Sequence, residues 1–315
     1  MTSVAPEPAG QVELPPSTPL RCSFAAERRG DPMPGTAAPG MGFLLIEQPG
    51  PWGRLALSQS QLDPAVGAAV SARGVAAGLR VLLIRRPGRQ PADREPGTRR
   101  FAVVDSRPGF EAARWGTFVE DADLLEVPLD ARAGTPSYDP IYLVCTHGRH
   151  DPCCAIRGRP VAAALAEARP EQTWECSHVG GDRFAGNLVV LPHGLYYGRV
   201  TAQNALEVVE AYERGEVVLR LLRGRTRWLP AAQAAQHRAR EVYGDLSVDA
   251  FPAAGTLHLP DGRWQVRLRH GTGHLLATVV GTAEAQMGLL TCHATSPAHP
   301  PNLVVTNLVE LGASS

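Results

Sequence analysis

Short apolar runs punctuated by Gly and Pro make up most of the chain, and their spacing divides it into three segments behind a Pro-rich start. Residues 1–20 carry no periodic apolar stripe and read as a poorly ordered tail. In residues 21–136, Gly42–Gln48 is a strand-like run that ends in a Pro-Gly-Pro-Trp-Gly loop. Asp63 followed by Pro64 marks a helix start, with Asp at the N-cap and Pro in the first turn, and the Ala/Val-rich stretch continues to Ala77 before Gly78 stops it. Leu79–Arg86, Arg100–Ser106 and Gly116–Glu120 read as strands, with an Arg/Pro/Gly-rich loop over Pro87–Thr98. The order predicts a small α/β lobe.

Residues 137–225 are patterned more sharply. Ile141–Cys145 is a β-branched strand that delivers Cys145 to a polar loop, and Ile156–Arg169 repeats apolar residues at helical spacing up to Pro170. Thr173–Cys176 is a second short strand, followed by a Gly-rich loop. Two further strands then flank Pro192-His193-Gly194 as a hairpin. Thr201 is placed to cap a helix over Ala202–Arg214, which Gly215 stops. The resulting β-α-β-β-β-α order is that of a thioredoxin-like α/β domain. In residues 226–315, Pro230–Tyr243 reads as a helix. Four runs beginning at Thr256, Arg263, His274 and Gly288 follow it as an antiparallel β-meander.

Composition narrows the function classes. Apolar residues at 44% and charged residues at 20% are ordinary for a globular protein, and 31 basic residues balance 31 acidic ones. Nothing in that balance points to nucleic acid or to an anionic membrane. Every basic residue is Arg, with no Lys, which fits the codon bias of a GC-rich bacterium. No apolar run is long enough to cross a bilayer, and the first residues lack the basic and apolar regions of a signal peptide. A cytoplasmic location is therefore expected. In that reducing compartment the clustering of Cys145, Cys153, Cys154 and Cys176 favours metal or redox chemistry over disulfides.

Two segments carry that chemistry, CTHGRHDPCC (Cys145–Cys154) and CSHVGGD (Cys176–Asp182). Soft and borderline donors converge there from two loops, with Gly180 and Gly181 allowing a tight bend. The two CxxC knuckles of a zinc ribbon are missing, and so is the single CxxC of a thiol oxidoreductase. The same segments, together with the continuation RFAGNLVVLPHGLYYGRV and the earlier GFLLIEQPGPWG, resemble the sucrase/ferredoxin-like family, a branch of the thioredoxin-like ferredoxins. The resemblance implies a [2Fe-2S] cluster and electron transfer with a reductase and an acceptor as redox partners. It does not imply a glycosidic activity.

Carried over from the family, two cysteines with eight residues between them fall on Cys145 and Cys154, and the first of two histidines falls on His178. The second histidine position holds Asp182, so the fourth ligand is Asp182, or Cys176, or water. The motif also includes Arg183 and Asn187 as anchors of the His/Asp loop, against the plainer reading of a salt bridge and a turn cap. His147 and His150 are donors to cluster sulfur or solvated loop residues. The remaining residues read more plainly. Cys22 and Cys292 are small buried hydrophobes, Cys153 is a bystander to Cys154, and His193 is exposed in its turn. The Arg223–Trp228 run is a solvated linker or a basic patch for an acidic partner. A thioredoxin-like thiol oxidoreductase and a zinc-stabilised interaction module remain as competing functions, and whether the chain is an enzyme stays open.

Overall fold

The computed structural model describes residues 20–88, 97–130 and 135–312. The tail expected over 1–20 lies outside them except for Leu20, as does most of the loop expected over Pro87–Thr98. The first lobe contains α1 (Cys22–Arg29), β1 (Gly42–Glu47), α2 (Pro64–Ala76), β2 (Leu79–Arg85), β3 (Arg99–Asp105) and β4 (Ala112–Phe118). Asp63 caps α2 as its sequence predicts, accepting from Ala65 N and Val66 N at 2.8 and 3.0 Å. Helix α1 is unheralded in the sequence, because its eight residues bury only the small side chains of Cys22, Ser23 and Ala26 and carry little apolar stripe.

The middle segment contains β5 (Ile141–Cys145), α3 (Pro152–Ala168), β6 (Thr173–Cys176), β7 (Leu188–Leu191), β8 (Leu195–Tyr197), α4 (Ala205–Glu213) and β9 (Leu222–Arg225). β5 and β6 are parallel, β7 returns antiparallel to β5, and β8 completes the hairpin. This β-α-β-β-β-α arrangement is the thioredoxin-like fold. Two of its helices start elsewhere than expected. α4 begins at Ala205, because Thr201 and Asn204 bond each other's backbone N–H groups and spend the intervening residues on a turn. α3 begins at Pro152 rather than Ile156, since Asp151-Pro152 is itself a cap and a first-turn proline.

β2 pairs antiparallel with β6 through Ile84↔Cys176 and Arg85↔Glu175. The result is one nine-stranded sheet in the order β4-β3-β1-β2-β6-β5-β7-β8-β9. Alternation along the strands gives it two buried faces. Tyr142, Val144, Leu188 and Val190 pack with Val161 and Leu165 of α3 and Val208 of α4. Leu143, Cys145, Trp174, Cys176 and Val189 lie on the other face with Phe43, Leu45 and Ile84.

The last segment contains α5 (Pro230–Tyr243) and a sheet of β10 (Ala253–His258), β11 (Trp264–His270), β12 (Gly273–Thr282) and β13 (Asn302–Leu311). Its fourth strand is not the run from Gly288. That stretch makes only an isolated bridge, Gly288 to Ala298, and leaves Cys292 in the β12–β13 connection. Small Ala231, Ala235 and Ala239 let α5 lie close on Val266, Leu268 and Ala277. Among the described residues no helix is long and apolar enough to cross a membrane.

Candidate metal centre

Cys145 ends β5, where its N–H donates to Asn187 O at 3.0 Å. The chain turns through 146–151 into α3, and Asp151 accepts from Cys153 N at 2.9 Å to cap the helix. The early helix start places Cys154 in the first turn of α3, not in a loop. Both N–H groups of that turn are already taken, Cys153 N by the Asp151 carboxylate and Cys154 N by Asp151 O at 3.0 Å.

From the end of β6, residues 177–181 carry His178 back toward α3. Gly180 and Gly181 have φ of 92° and 81°, a region that a side chain resists. The bend is held from below. Asn187 donates to Gly181 O at 2.9 Å. Buried Arg223 donates to Gly180 O at 2.9 Å, to Asn187 Oδ1 at 2.7 Å and to Thr36 O at 2.6 Å. Arg183 turns away instead, 3.6 Å from Asp31 and over the Phe184 ring.

The donors converge at the top of this bend. Cys145, Cys154 and His178 bring ligand atoms within 4.8 Å of one another, and so do His150, His178 and Asp182. Asp182, 3% exposed, links the two groups. Its Oδ1 accepts from Cys154 Sγ at 3.2 Å and lies 3.0 Å from His178 Nδ1. Its Oδ2 lies 3.9 Å from His150 Nε2, and the His150 ring stacks on His178 at 3.7 Å between centroids. His178 Nδ1 makes no well-aligned hydrogen bond despite being shielded from solvent. Cys176 joins neither group. It is fully buried in the sheet core beside Cys145, and burial pushes its thiol well above the ordinary range.

Charge organises the cluster. A hydrogen bond from the Cys154 thiol holds Cys145 well below its ordinary pKa, with His178 assisting against the opposing effect of burial. Cys154 is pushed far up by that same bond to Cys145, by burial and by Asp182. Burial works against the charged form of His178, but Asp182 and Cys145 outweigh it and carry its pKa up to about 9. Burial likewise opposes ionisation of Asp182, and His178 overcomes it, so the carboxylate is lowered. The lowered Cys145 thiol and Asp182 carboxyl thus face the raised His178 imidazole, with the raised Cys154 thiol between them. These groups contact mainly one another, an arrangement that a thiophilic cation or cluster replaces directly.

His147 is no solvated loop residue. It is 3% exposed, its Nε2 donates to Gly53 O at 2.6 Å, and its Nδ1 accepts from His178 N at 3.3 Å. Burial lowers its pKa and keeps it neutral in that bridging role, edge-on to Trp52. The Pro-Gly-Pro-Trp-Gly loop of the first lobe thus supports the His178 backbone. On the outer side, residues from Arg54 to Ser58 and Ser177 line an open depression with His147, His150 and His178. The thiols face the interior and the imidazoles face this depression.

The structure corrects three other sequence readings. Arg223 and Arg225 are buried in β9, not part of a linker or an exposed basic patch, with Arg225 donating to His193 O at 3.0 Å and Asp249 Oδ1 at 2.7 Å. His193 is half-buried rather than exposed, with Nδ1 2.6 Å from the Tyr212 hydroxyl. Cys153 is not a bystander, for its sulfur touches those of Cys22 and Cys292, and Cys292, read as a buried hydrophobe, is only partly buried. Sequence reasoning also missed His150 as a member of the donor group. The Asp-Pro helix start directly after it was the available signal, since it folds residue 150 back over the bend.

Two curated relatives, both described as "Altered inheritance of mitochondria protein 32", come from Candida glabrata and Meyerozyma guilliermondii. They are 29% and 27% identical over 96 and 92 residues, which is 26% of this chain in each case. The chain spans only 31% and 33% of their lengths. Two cysteine-to-serine variants of a thioredoxin-like [2Fe-2S] ferredoxin from Aquifex aeolicus match at 25% identity and a TM-score of 0.23, over 27% of this chain and 97% of theirs. The sucrase/ferredoxin-like family matches residues 33–224, a span that contains β1 through the start of β9 and every donor around Asp182, and the chain belongs to that family.

Proposed function

We propose that the protein transfers single electrons through a [2Fe-2S] cluster held by Cys145, Cys154, His178 and Asp182, accepting them from a reductase and passing them to an acceptor protein. One observation carries the reading. Two shielded thiols, an imidazole and a buried carboxylate meet from a strand end, a helix start and a braced bend, and have mainly one another as partners. When bound, such a cluster supplies a one-electron couple, and a histidine in place of a thiolate raises its potential above that of an all-cysteine ferredoxin.

The protein's own residues divide the remaining work. Cys145 and Cys154, each 1% exposed, hold the buried side and exclude water. His178, with its side chain 27% exposed, forms the edge nearest solvent, where a partner protein would dock. The ring nitrogen left free by ligation can exchange a proton with solvent, which links proton uptake to reduction. His147 and Arg223 fix the backbone on either side of His178, limiting reorganisation. His150 supports one variant of this reading, because it shares the second donor group with His178 and Asp182 and is a neighbouring candidate for the fourth position.

The test is anaerobic purification followed by iron and sulfide analysis, EPR of the reduced protein and redox titration at several pH values. Near-equal iron and sulfide, with a midpoint that falls as pH rises, supports the assignment. Colourless protein containing zinc at Cys145 and Cys154 sinks it, and a pH-independent low midpoint sinks the histidine ligand.

A further inference from the structure

Three cysteines from distant parts of the chain meet outside the centre described above. Cys22 is the first residue of α1, Cys153 lies in the first turn of α3, and Cys292 belongs to the β12–β13 connection. Their sulfurs form a closed triangle. Cys22 to Cys153 is 3.7 Å, Cys153 to Cys292 is 3.4 Å, and Cys292 to Cys22 is 3.5 Å. Asp151 lies against the triangle, with carboxylate oxygens 3.6 and 3.8 Å from Cys22 Sγ. The same carboxylate accepts from Cys153 N at 2.9 Å and Cys292 N at 2.7 Å, so it fixes two of the three cysteine backbones. Cys22, Cys153 and Asp151 are 1%, 0% and 0% exposed.

The dimensions select a single ion. Metal–sulfur bonds of about 2.3 Å in a tetrahedron put neighbouring sulfurs about 3.8 Å apart, so the observed triangle needs to open by only a few tenths of an ångström. All six cysteines are free thiols. A disulfide would pull two sulfurs to about 2.05 Å and leave the third with no partner beside a buried carboxylate. Three thiolates with one carboxylate suit a borderline-soft divalent ion that prefers four ligands.

We propose that Cys22, Cys153 and Cys292 bind one divalent cation of the zinc class, with Asp151 as the fourth donor. The ion ties α1 and the β12–β13 connection to the N-terminus of α3, the turn that also carries Cys154. The two centres stay separate because consecutive helical residues point about 100° apart. Cys153 faces α1 and Ala185, and Cys154 faces the sheet core. The site does not depend on the cluster assignment.

The test measures zinc, iron and sulfide in the full chain and in three variants, Cys22→Ser, Cys292→Ser and Cys145→Ser, with zinc X-ray absorption on the unmodified protein. The expected result is about one zinc per chain, lost in Cys22→Ser and Cys292→Ser and kept in Cys145→Ser. The absorption spectrum should fit about three sulfurs and one lighter donor. Zinc that stays in Cys292→Ser, or that leaves only in Cys145→Ser, overturns the proposal. So does a Cys22–Cys153, Cys22–Cys292 or Cys153–Cys292 disulfide found by peptide mapping of freshly isolated protein. If the serine variants fail to fold, the absorption spectrum decides, and a sulfur-free zinc shell or the absence of zinc overturns the site.

Discussion

Replacing Arg223 with Met should loosen the His178 loop more than any other single change outside the donor set. The guanidinium is 2% exposed and bonds Gly180 O, Thr36 O and Asn187 Oδ1, with Thr36 Oγ1 as a further partner. Met fills much of the volume but donates nothing. One buried and two part-buried acceptors lose their donor, at about 1–3 kcal/mol each. Against this, removing the charge relieves a burial penalty. Burial brings the Arg223 pKa from 12.5 down to about 10, equivalent to about 3 kcal/mol at 1.36 kcal/mol per unit. Middle values leave a net loss of about 3 kcal/mol. Arg220, three residues earlier, provides the contrast, since its pair with Glu207 has side chains 58% and 45% exposed. Arg220→Ala should therefore cost less than about 1 kcal/mol. Urea unfolding of the metal-free proteins measures both, and hydrogen exchange at residues 178–182 reports the loop. Equal small losses for the two variants, with unchanged exchange over the loop, would refute the idea that Arg223 braces it.

Three further changes probe the site and its support. The raised pKa of His178, about 9 against an ordinary 6.5, contributes stability that is complete below about 6.5 and lost as pH rises through 9. Metal-free protein should lose at most about 3 kcal/mol across that window in thermal melts, and His178→Asn should flatten the profile. Affinity for metal should change in the opposite sense, rising with pH as the imidazolium proton becomes easier to displace, and calorimetry at three pH values checks the sign. Asp182→His replaces a carboxylate with a neutral donor and should raise the midpoint of the loaded protein in a spectroelectrochemical titration, whereas a lower midpoint contradicts Asp182 as a ligand. Gly158→Ala places a Cβ 2.1 Å from Cys145 O, so α3 must move off the end of β5, with a loss of about 1–3 kcal/mol in urea and weaker metal retention.

The donor residues were legible because their chemistry is local to two short segments. Strand ends deliver Cys145 and Cys176, and a Gly-Gly bend returns Asp182 beneath His178, features that follow from period and turn chemistry. What braces them was not legible, because each brace joins residues far apart in sequence. His147 reaches Gly53, and Arg223 reaches Thr36 and Gly180. An arginine run between short apolar stretches looks solvated until a strand buries it. β9 is such a strand, and its pairing with β8 has no signature in a four-residue window.

The adjacent cysteines show the same limit most clearly. By spacing alone Cys153 and Cys154 compete for one site, and one of them must be idle. The competition rests on treating residues 146–155 as loop, where neighbouring side chains can share a direction. Asp151-Pro152 starts the helix before either cysteine, and a helix separates consecutive side chains by about 100°. Cys154 then turns inward to Asp182, while Cys153 turns toward Cys22 and Cys292. Asp151 serves both arrangements, capping the helix that aims Cys154 and bonding the backbone that brings in Cys292. Asp151→Asn keeps a capping oxygen but removes the charge, so it should weaken the three-cysteine site while leaving Cys145 and Cys154 able to hold metal. Loss of zinc with iron retained is the expected analysis, and equal loss of both metals would show that the two sites are not independent.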